Sequence, residues 1–291
     1  MAARRPIIPC ELLPETRARI DAYVDALKAA APDIGVHGLT REEFRDSGIF
    51  RGAIEQLRGT QVASMVEKRA FMSEVFNFLQ NAALIRSWSY QGAGERHDYQ
   101  AIMPNERISV VETKGCLDGN NTNIFERPPQ ADEFIIWSLC QNPGSDPRLN
   151  AWSGIHTRLS AEIIHRRQRV DGVVIWDMAC GTVGRPCPKL AANANRATQI
   201  SANRFVPPPC LYLFPRSIPD ARNNPTPACW QLNEIHLLHS LWRAFHGDDA
   251  DVVEVRIEAR IEGVDVQRRT RFFRAGEETT TSKWTTIRRA R

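Results

Sequence analysis

The sequence predicts a mixed α/β fold, an α+β arrangement in which helices flank a central mixed β-sheet. Residues 61–85 place apolar side chains at spacings of three and four, which is typical of a helix with one buried face. Two apolar runs on either side of Pro104-Asn105 predict an antiparallel hairpin, and residues 170–177 read as a further buried strand. Helix, hairpin and strand in this order favour one sheet between helical layers.

Residues 1–60 are predicted to form an N-terminal helical segment. Residues 11–30 have helical spacing, and residues 40–58 form a second candidate helix. Thr40 and Glu43 stand at the two positions of a capping box, so we expect that helix to begin just after Thr40.

Residues 61–190 are predicted to be the core. After the long helix come a short strand candidate at Trp88-Ser89-Tyr90, the hairpin, and a polar loop over residues 115–129. An amphipathic helix over residues 151–168 follows, and the strand at 170–177 closes the unit. The predicted order is therefore α-β-β-β-α-β. The amphipathic helix ends in a basic run, His165-Arg166-Arg167-Gln168-Arg169.

Residues 191–291 are predicted to be a C-terminal extension packed on the core, giving a single compact domain. A proline-rich stretch contains one strand-like segment, residues 210–214, and residues 231–246 have helical spacing. Residues 251–274 alternate as a hairpin whose polar positions are rich in arginine. This hairpin could brace the sheet or lie against DNA.

Composition limits the classes of function. Hydrophobic content of 42% and charged content of 25% are ordinary for a soluble protein, and the absence of a long apolar run predicts no membrane span. Seven loosely spaced cysteines and the lack of an N-terminal signal-like run predict free thiols in the cytoplasm. A net charge of +4 permits a polyanionic partner without requiring one. A zinc site from Cys180, Cys187, His236 and His239 is disfavoured because its spacing is unusual.

Asp98, Glu112 and Lys114 are the candidate functional residues. Asp98 and Glu112 each lie seven residues from Asn105, so a hairpin centred there places them opposite each other. Alternation along the strand adds Lys114 to the same face. Two facing carboxylates repel unless a cation lies between them, and oxygen ligands suit Mg²⁺. Metal, acids and lysine are suited to attack on a phosphodiester, although a surface hairpin with scattered charge would give the same pattern.

The order of elements, with Asp98 on one central strand and Glu112-Thr113-Lys114 on the next, resembles the PD-(D/E)xK nuclease superfamily. Within it, the size of the chain resembles type II restriction endonucleases. The resemblance covers residues 61–180 and departs from the usual motif at His97, where many members have proline.

The resemblance implies roles for particular residues. Asp98, Glu112 and the carbonyl of Thr113 would bind Mg²⁺, and Lys114 would orient or help to deprotonate the attacking water. A further acid from the preceding helix would be Glu67, or alternatively Glu74, although either would also be an ordinary surface glutamate.

The implied activity is sequence-specific hydrolysis of double-stranded DNA by a homodimer with one site for each strand. Alternatives are a repair or anti-phage nuclease on the same fold, and a DNA-binding protein without catalysis. Loop residues that could read bases or meet phosphates, or simply connect elements, are Asn120, Asn121, Asn123, Arg185 and Lys189.

Overall fold

A computed structural model of the chain describes residues 14–60, 65–92, 95, 97–114, 126–140, 151–177, 197–206 and 208–289. Its six α-helices in these ranges are α1 Pro14–Ala30, α2 Arg41–Ser47, α3 Ile49–Thr60, α4 Met65–Asn81, α5 Ala151–Arg166 and α6 His236–Ala244. Its strands are β1 Ser87–Tyr90, β2 Tyr99–Ile102, β3 Ile108–Lys114, β4 Glu133–Cys140, β5 Gly172–Asp177, β6 Thr198–Ser201, β7 Arg204–Val206, β8 Cys210–Leu213, β9 Val252–Glu262, β10 Asp265–Arg274, β11 Glu277–Thr281 and β12 Thr285–Arg289.

Ten of these strands form one mixed sheet, which confirms the predicted mixed α/β class. The order is β1-β2-β3-β4-β5-β8-β9-β10-β11, with β12 also paired to β10. Strands β1 to β3 are an antiparallel meander, and β3, β4 and β5 run parallel to one another. Strand β8 is antiparallel to β5 and parallel to β9, so the sheet continues into the C-terminal residues. Strands β6 and β7 form a separate two-stranded sheet.

The predicted order α-β-β-β-α-β is wrong at one place, because β4 lies between β3 and α5. The side chains of Phe134, Ile135, Ile136 and Trp137 are all fully buried, so this strand is apolar on both faces. A strand between two parallel neighbours lacks the alternation that marks a half-exposed strand.

The two faces of the sheet are covered by different helices. Helices α4 and α6 contribute to one apolar cluster, in which Phe71 of α4 meets Trp137 of β4 edge to face, with ring centroids 6.2 Å apart. Helix α5 contributes Leu159 and Ile163 to the cluster on the other face. Each large apolar side chain buried here stabilises the fold by about 1.5–3 kcal/mol.

The predicted helices are confirmed, with shorter bounds. Helix α4 ends at Asn81, shortly before Ala83, whose φ of 55° leaves the helical region. The single helix expected over residues 40–58 is two helices, because Gly48 takes a left-handed φ of 73° between α2 and α3. The capping box before α2 is present: Thr40 and Glu43 bond each other's amides at 2.9 and 3.3 Å. Within the described ranges, no helix is both long enough and apolar enough to cross a bilayer.

Candidate functional site

The predicted register of the β2–β3 hairpin is confirmed along the strands. Tyr99 pairs with Val111, and Ile102 pairs with Ile108, as a turn centred on Asn105 requires. The turn is closed by the amide of Met103, which donates to the carbonyl of Arg107 at 2.8 Å. The turn chemistry and the apolar alternation therefore set the position of the candidate residues.

The strand pattern breaks at Asp98. Its amide donates to the carbonyl of Val111 on β3 at 3.0 Å, whereas its carbonyl accepts from the amide of Gln91 at 2.8 Å. In a regular strand the amide and carbonyl of one residue point toward the same neighbour. The opposite directions show that the regular pairing of β2 and β3, which begins at Tyr99, does not extend to Asp98.

The carboxylate of Asp98 contacts Thr113 of β3. Its Oδ2 accepts hydrogen bonds from the amide of Thr113, at 2.7 Å, and from the Thr113 hydroxyl. Thr113 is therefore the hydrogen-bond partner of Asp98 in the structure. The placement of Asp98 opposite Glu112 stays a prediction, because the paired register of the two strands begins at Tyr99 and Val111. The other carboxylate oxygen of Asp98, Oδ1, accepts no hydrogen bond from any residue within the described ranges.

Glu112 is a buried acid, with 7% of its surface exposed. It lies two residues beyond Val110, which belongs to the apolar cluster on the α5 face, and its neighbour on β4 is Ile136 of the same cluster. Burying a carboxylate beside such neighbours is costly unless it is paired. The backbone of Lys114 ends β3, next to Ser138 of β4, but its side chain lies outside the described part of the structure.

His97, noted in the sequence only as a departure from proline, is a buried neighbour of Asp98. It is 4% exposed, and neither ring nitrogen has a hydrogen-bond partner among the described residues. Burial lowers the pKa of His97, which favours the neutral ring. Its position beside the candidate acid was the one signal in the sequence.

An aromatic row supports the start of β2. The rings of Phe76, Trp88 and Tyr90 lie within 6.3 Å of the ring of Tyr99, measured between centroids. Arg69 of α4 donates to the Tyr90 hydroxyl at 2.6 Å and lies 4.4 Å from the ring centroid. Burial raises the pKa of Tyr99 to about 12, so it stays neutral beside Asp98. Sequence reasoning missed Arg69, because only the fold brings α4 to β1.

The remaining predicted residues fall into two groups. Glu67 lies on α4 with its side chain outside the described set, while Glu74 is paired with Arg204 at 3.3 Å. Residues that lie outside the described ranges are Asn120, Asn121, Asn123, Arg185, Lys189, Cys180 and Cys187.

The arginine side chains of the β9–β10 hairpin form ion pairs with glutamates of the same region. Glu258 accepts from Arg269 and, at 3.1 Å, from Arg271, and Arg271 also bonds Glu278. Arg256 lies 3.9 Å from the ring centroid of Phe273. These contacts favour the bracing role over DNA contact.

The donor set can be tested against Mg²⁺ by its chemistry. No group of three or more His, Cys, Asp or Glu side chains within the described ranges could hold a metal ion. Two carboxylates and one backbone carbonyl are nevertheless hard oxygen ligands, and water and substrate phosphate complete most Mg²⁺ sites. The Oδ1 of Asp98 keeps its acceptor capacity, so the residues present fit such an ion in type.

Comparison of the chain with protein-family models, with curated proteins and with solved structures gave no match. The functional assignment therefore depends on the residues and their geometry.

Proposed function

We propose that this protein is a Mg²⁺-dependent endonuclease that hydrolyses phosphodiester bonds in double-stranded DNA at specific sequences, in the manner of type II restriction enzymes. Its restriction-endonuclease-like core would be α4, α5 and β1 to β5. The observation that carries the proposal is the Asp98 carboxylate, which is bonded to Thr113 next in sequence to the buried acid Glu112 at the end of β3.

Each residue has a separate task in this proposal. Thr113 holds one oxygen of Asp98 through its amide and hydroxyl, which leaves the other oxygen available for a ligand. Glu112 supplies a second carboxylate, and Lys114 at the end of the same strand would position the water and balance charge on the phosphate. Mg²⁺, when bound by Asp98, Glu112 and the Thr113 carbonyl, would supply a Lewis acid that stabilises charge developing on the phosphate.

The deciding experiment is digestion of a mixed-sequence plasmid by the purified full chain, with 10 mM MgCl₂ or with excess EDTA, conditions set by the usual weak binding of Mg²⁺ (about millimolar). Discrete fragments with Mg²⁺, and intact plasmid with EDTA, are the expected result. A smear would indicate a non-specific nuclease on the same fold, such as a repair or anti-phage enzyme. Intact plasmid under both conditions would leave DNA binding without catalysis and would overturn the proposal.

The oligomeric state is a second part of the proposal. Cutting both strands of a symmetric DNA site requires two catalytic centres, which a two-fold homodimer supplies. Light scattering of the purified chain is expected to give a mass near twice 32.9 kDa. A monomer that still cuts both strands would contradict the dimer.

A further inference from the structure

A cavity of about 400 Å³ lies on the α5 side of the sheet, at the edge where β4 and β5 begin. Asp98 and Glu112 lie near the opposite ends of these strands, because β3, β4 and β5 are parallel and the candidate acids lie where β3 ends. The volume is in the range of small-molecule sites. The lining includes Arg127, Arg169, Arg216, Asp171, Ile218 and Trp230.

Cationic groups exceed anionic groups in this lining. Arg127 is held in place by Asp171, at 3.2 Å, and by the carbonyl of Asp132, at 2.6 Å. Arg216 pairs with Glu234 and lies 5.6 Å from the centroid of the Trp230 ring. Arg169 is exposed and has no ion-pair partner within the described part of the chain. Its charge acts on Asp171 of the same lining, and its guanidinium donors can be directed to a ligand.

The wall that carries Arg216 and Trp230 is held by its own backbone. The amide of Arg216 donates to the carbonyl of Ala228 at 2.6 Å, and the amide of Trp230 donates to Phe214 at 3.2 Å. The facing wall is tied in the same way, since the amide of Arg127 donates to the carbonyl of Arg169 at 3.2 Å. A preformed site loses little conformational entropy when its ligand binds.

We infer that this cavity binds the phosphate group of a nucleotide. The planar guanidinium groups of Arg169 and Arg216 match the oxygens of a phosphate in pairs, and charge-assisted bonds of this kind are strong. Trp230 and Ile218 add apolar surface to the lining beside the arginines, which suits a nucleobase. The inference does not rest on the proposed nuclease activity. A free nucleotide and a nucleic-acid strand carry the same phosphate chemistry, so the test separates the two sources.

The test uses the full chain in EDTA, so that no cleavage can occur, with AMP as the probe in isothermal titration calorimetry. Wild type is expected to bind AMP, and Arg169→Gln to weaken binding about tenfold or more, the usual scale for one charge-assisted contact. Arg169→Lys keeps the charge and is expected to recover part of the affinity. Arg45→Gln changes an exposed arginine on α2 and is expected to bind AMP like wild type.

Two further titrations complete the experiment. Adenosine, which lacks the phosphate, is expected to bind much more weakly than AMP, and equal binding would overturn the inference. A 20-base-pair duplex shows whether the phosphate comes from nucleic acid: duplex binding that falls in Arg169→Gln, without AMP binding, would assign the site to the DNA backbone. Failure of both AMP and duplex to depend on Arg169 would also overturn it. Loss of plasmid cleavage alone would not overturn the inference, because cleavage tests the acids at the other end of the strands.

Discussion

Strands β3, β4 and β5 run parallel, so they share a starting end, where they begin, and a finishing end, where they end, and acids near the two ends differ in their hydrogen bonds. At the starting end, Glu133 accepts hydrogen bonds from the Ser109 hydroxyl and from the amides of Leu237 and Leu238. Asp171 accepts from the amide of Phe134, at 2.6 Å, and from Arg127. At the finishing end, Thr113 occupies one oxygen of Asp98, and the other oxygen accepts nothing from the described residues.

The difference separates structural acids from candidate functional ones. Glu133 caps the N-terminus of α6 and links that helix to β3 and β4. Its carboxylate oxygens are therefore used as acceptors within the protein. Asp98 uses only one oxygen within the described residues, so its other oxygen can still accept from a ligand. An acid whose acceptors are all used within the protein indicates a structural role, whereas one with remaining acceptor capacity is a candidate for a site.

The largest expected effect is on cleavage. Glu112→Ala or Lys114→Ala removes a charge at the finishing end, so we expect cleavage to fall at least about 100-fold, the scale for losing one charge-stabilising group. Binding to a duplex, measured by fluorescence anisotropy, is expected to survive. Glu106→Ala is the matched control, because Glu106 is an exposed acid in the turn of the same hairpin. Normal cleavage by Glu112→Ala would show that the active site does not lie at the finishing end.

The second effect is on stability and belongs to the starting end. Glu133→Ala leaves three buried donors, one hydroxyl and two amides, without their acceptor. At about pH 4.5, where the contribution of Glu133 is present, we expect the free energy of unfolding to fall by about 3 kcal/mol, as measured by urea denaturation. Glu106→Ala is again the control and is expected to change it by less than about 0.5 kcal/mol. A loss of similar size in the control would show that the assay does not separate the two ends.

Glu133 also predicts a dependence of stability on pH. Burial raises the pKa of Glu133 from 4.5 to about 7. A folded pKa above the unfolded value means that the contribution is complete below pH 4.5 and is lost as the pH rises through 7. Compared with Glu133→Gln, wild type is therefore expected to lose up to about 3 kcal/mol between pH 4.5 and 8. Parallel stability profiles for the two proteins would contradict this assignment.

The hairpin shows what the sequence could and could not predict. The Pro104-Asn105 turn and the apolar alternation predict the register correctly, because both signals are local. The hydrogen bonds from Thr113 to Asp98 could not be predicted, because regular pairing stops at Tyr99 and the pattern of the sequence does not show this. Strand β4 was not predicted, although it is a continuous apolar run like β5, because such a run alone does not distinguish a strand from a buried helix. The role of Glu133 depends on amides more than 100 residues away, which only the fold brings together.

A smaller effect would sharpen the role of Thr113. Thr113→Val keeps the shape of the side chain and removes the hydroxyl that bonds Asp98, while the amide bond remains. Loss of one hydrogen bond between a neutral donor and a charged acceptor corresponds to roughly a tenfold change in rate. We therefore expect kcat to fall about three- to tenfold. Thr113→Ser restores the hydroxyl and is expected to restore kcat. A fall in both variants, or a change in KM alone, would show that Thr113 does not position Asp98.

The smallest effect lies outside both ends of the strands. Thr40 caps α2 through the amide of Glu43, and this capping box was predicted from sequence and is present in the structure. Thr40→Ala is expected to lower the free energy of unfolding by about 1 kcal/mol, measured by urea denaturation, and to leave cleavage unchanged. Thr40→Ser keeps the capping hydroxyl and is expected to match wild type. If Thr40→Ala reduced cleavage as strongly as Thr113→Val, a general loss of stability would account for both, and the contrast between the two ends of the sheet would lose its functional meaning.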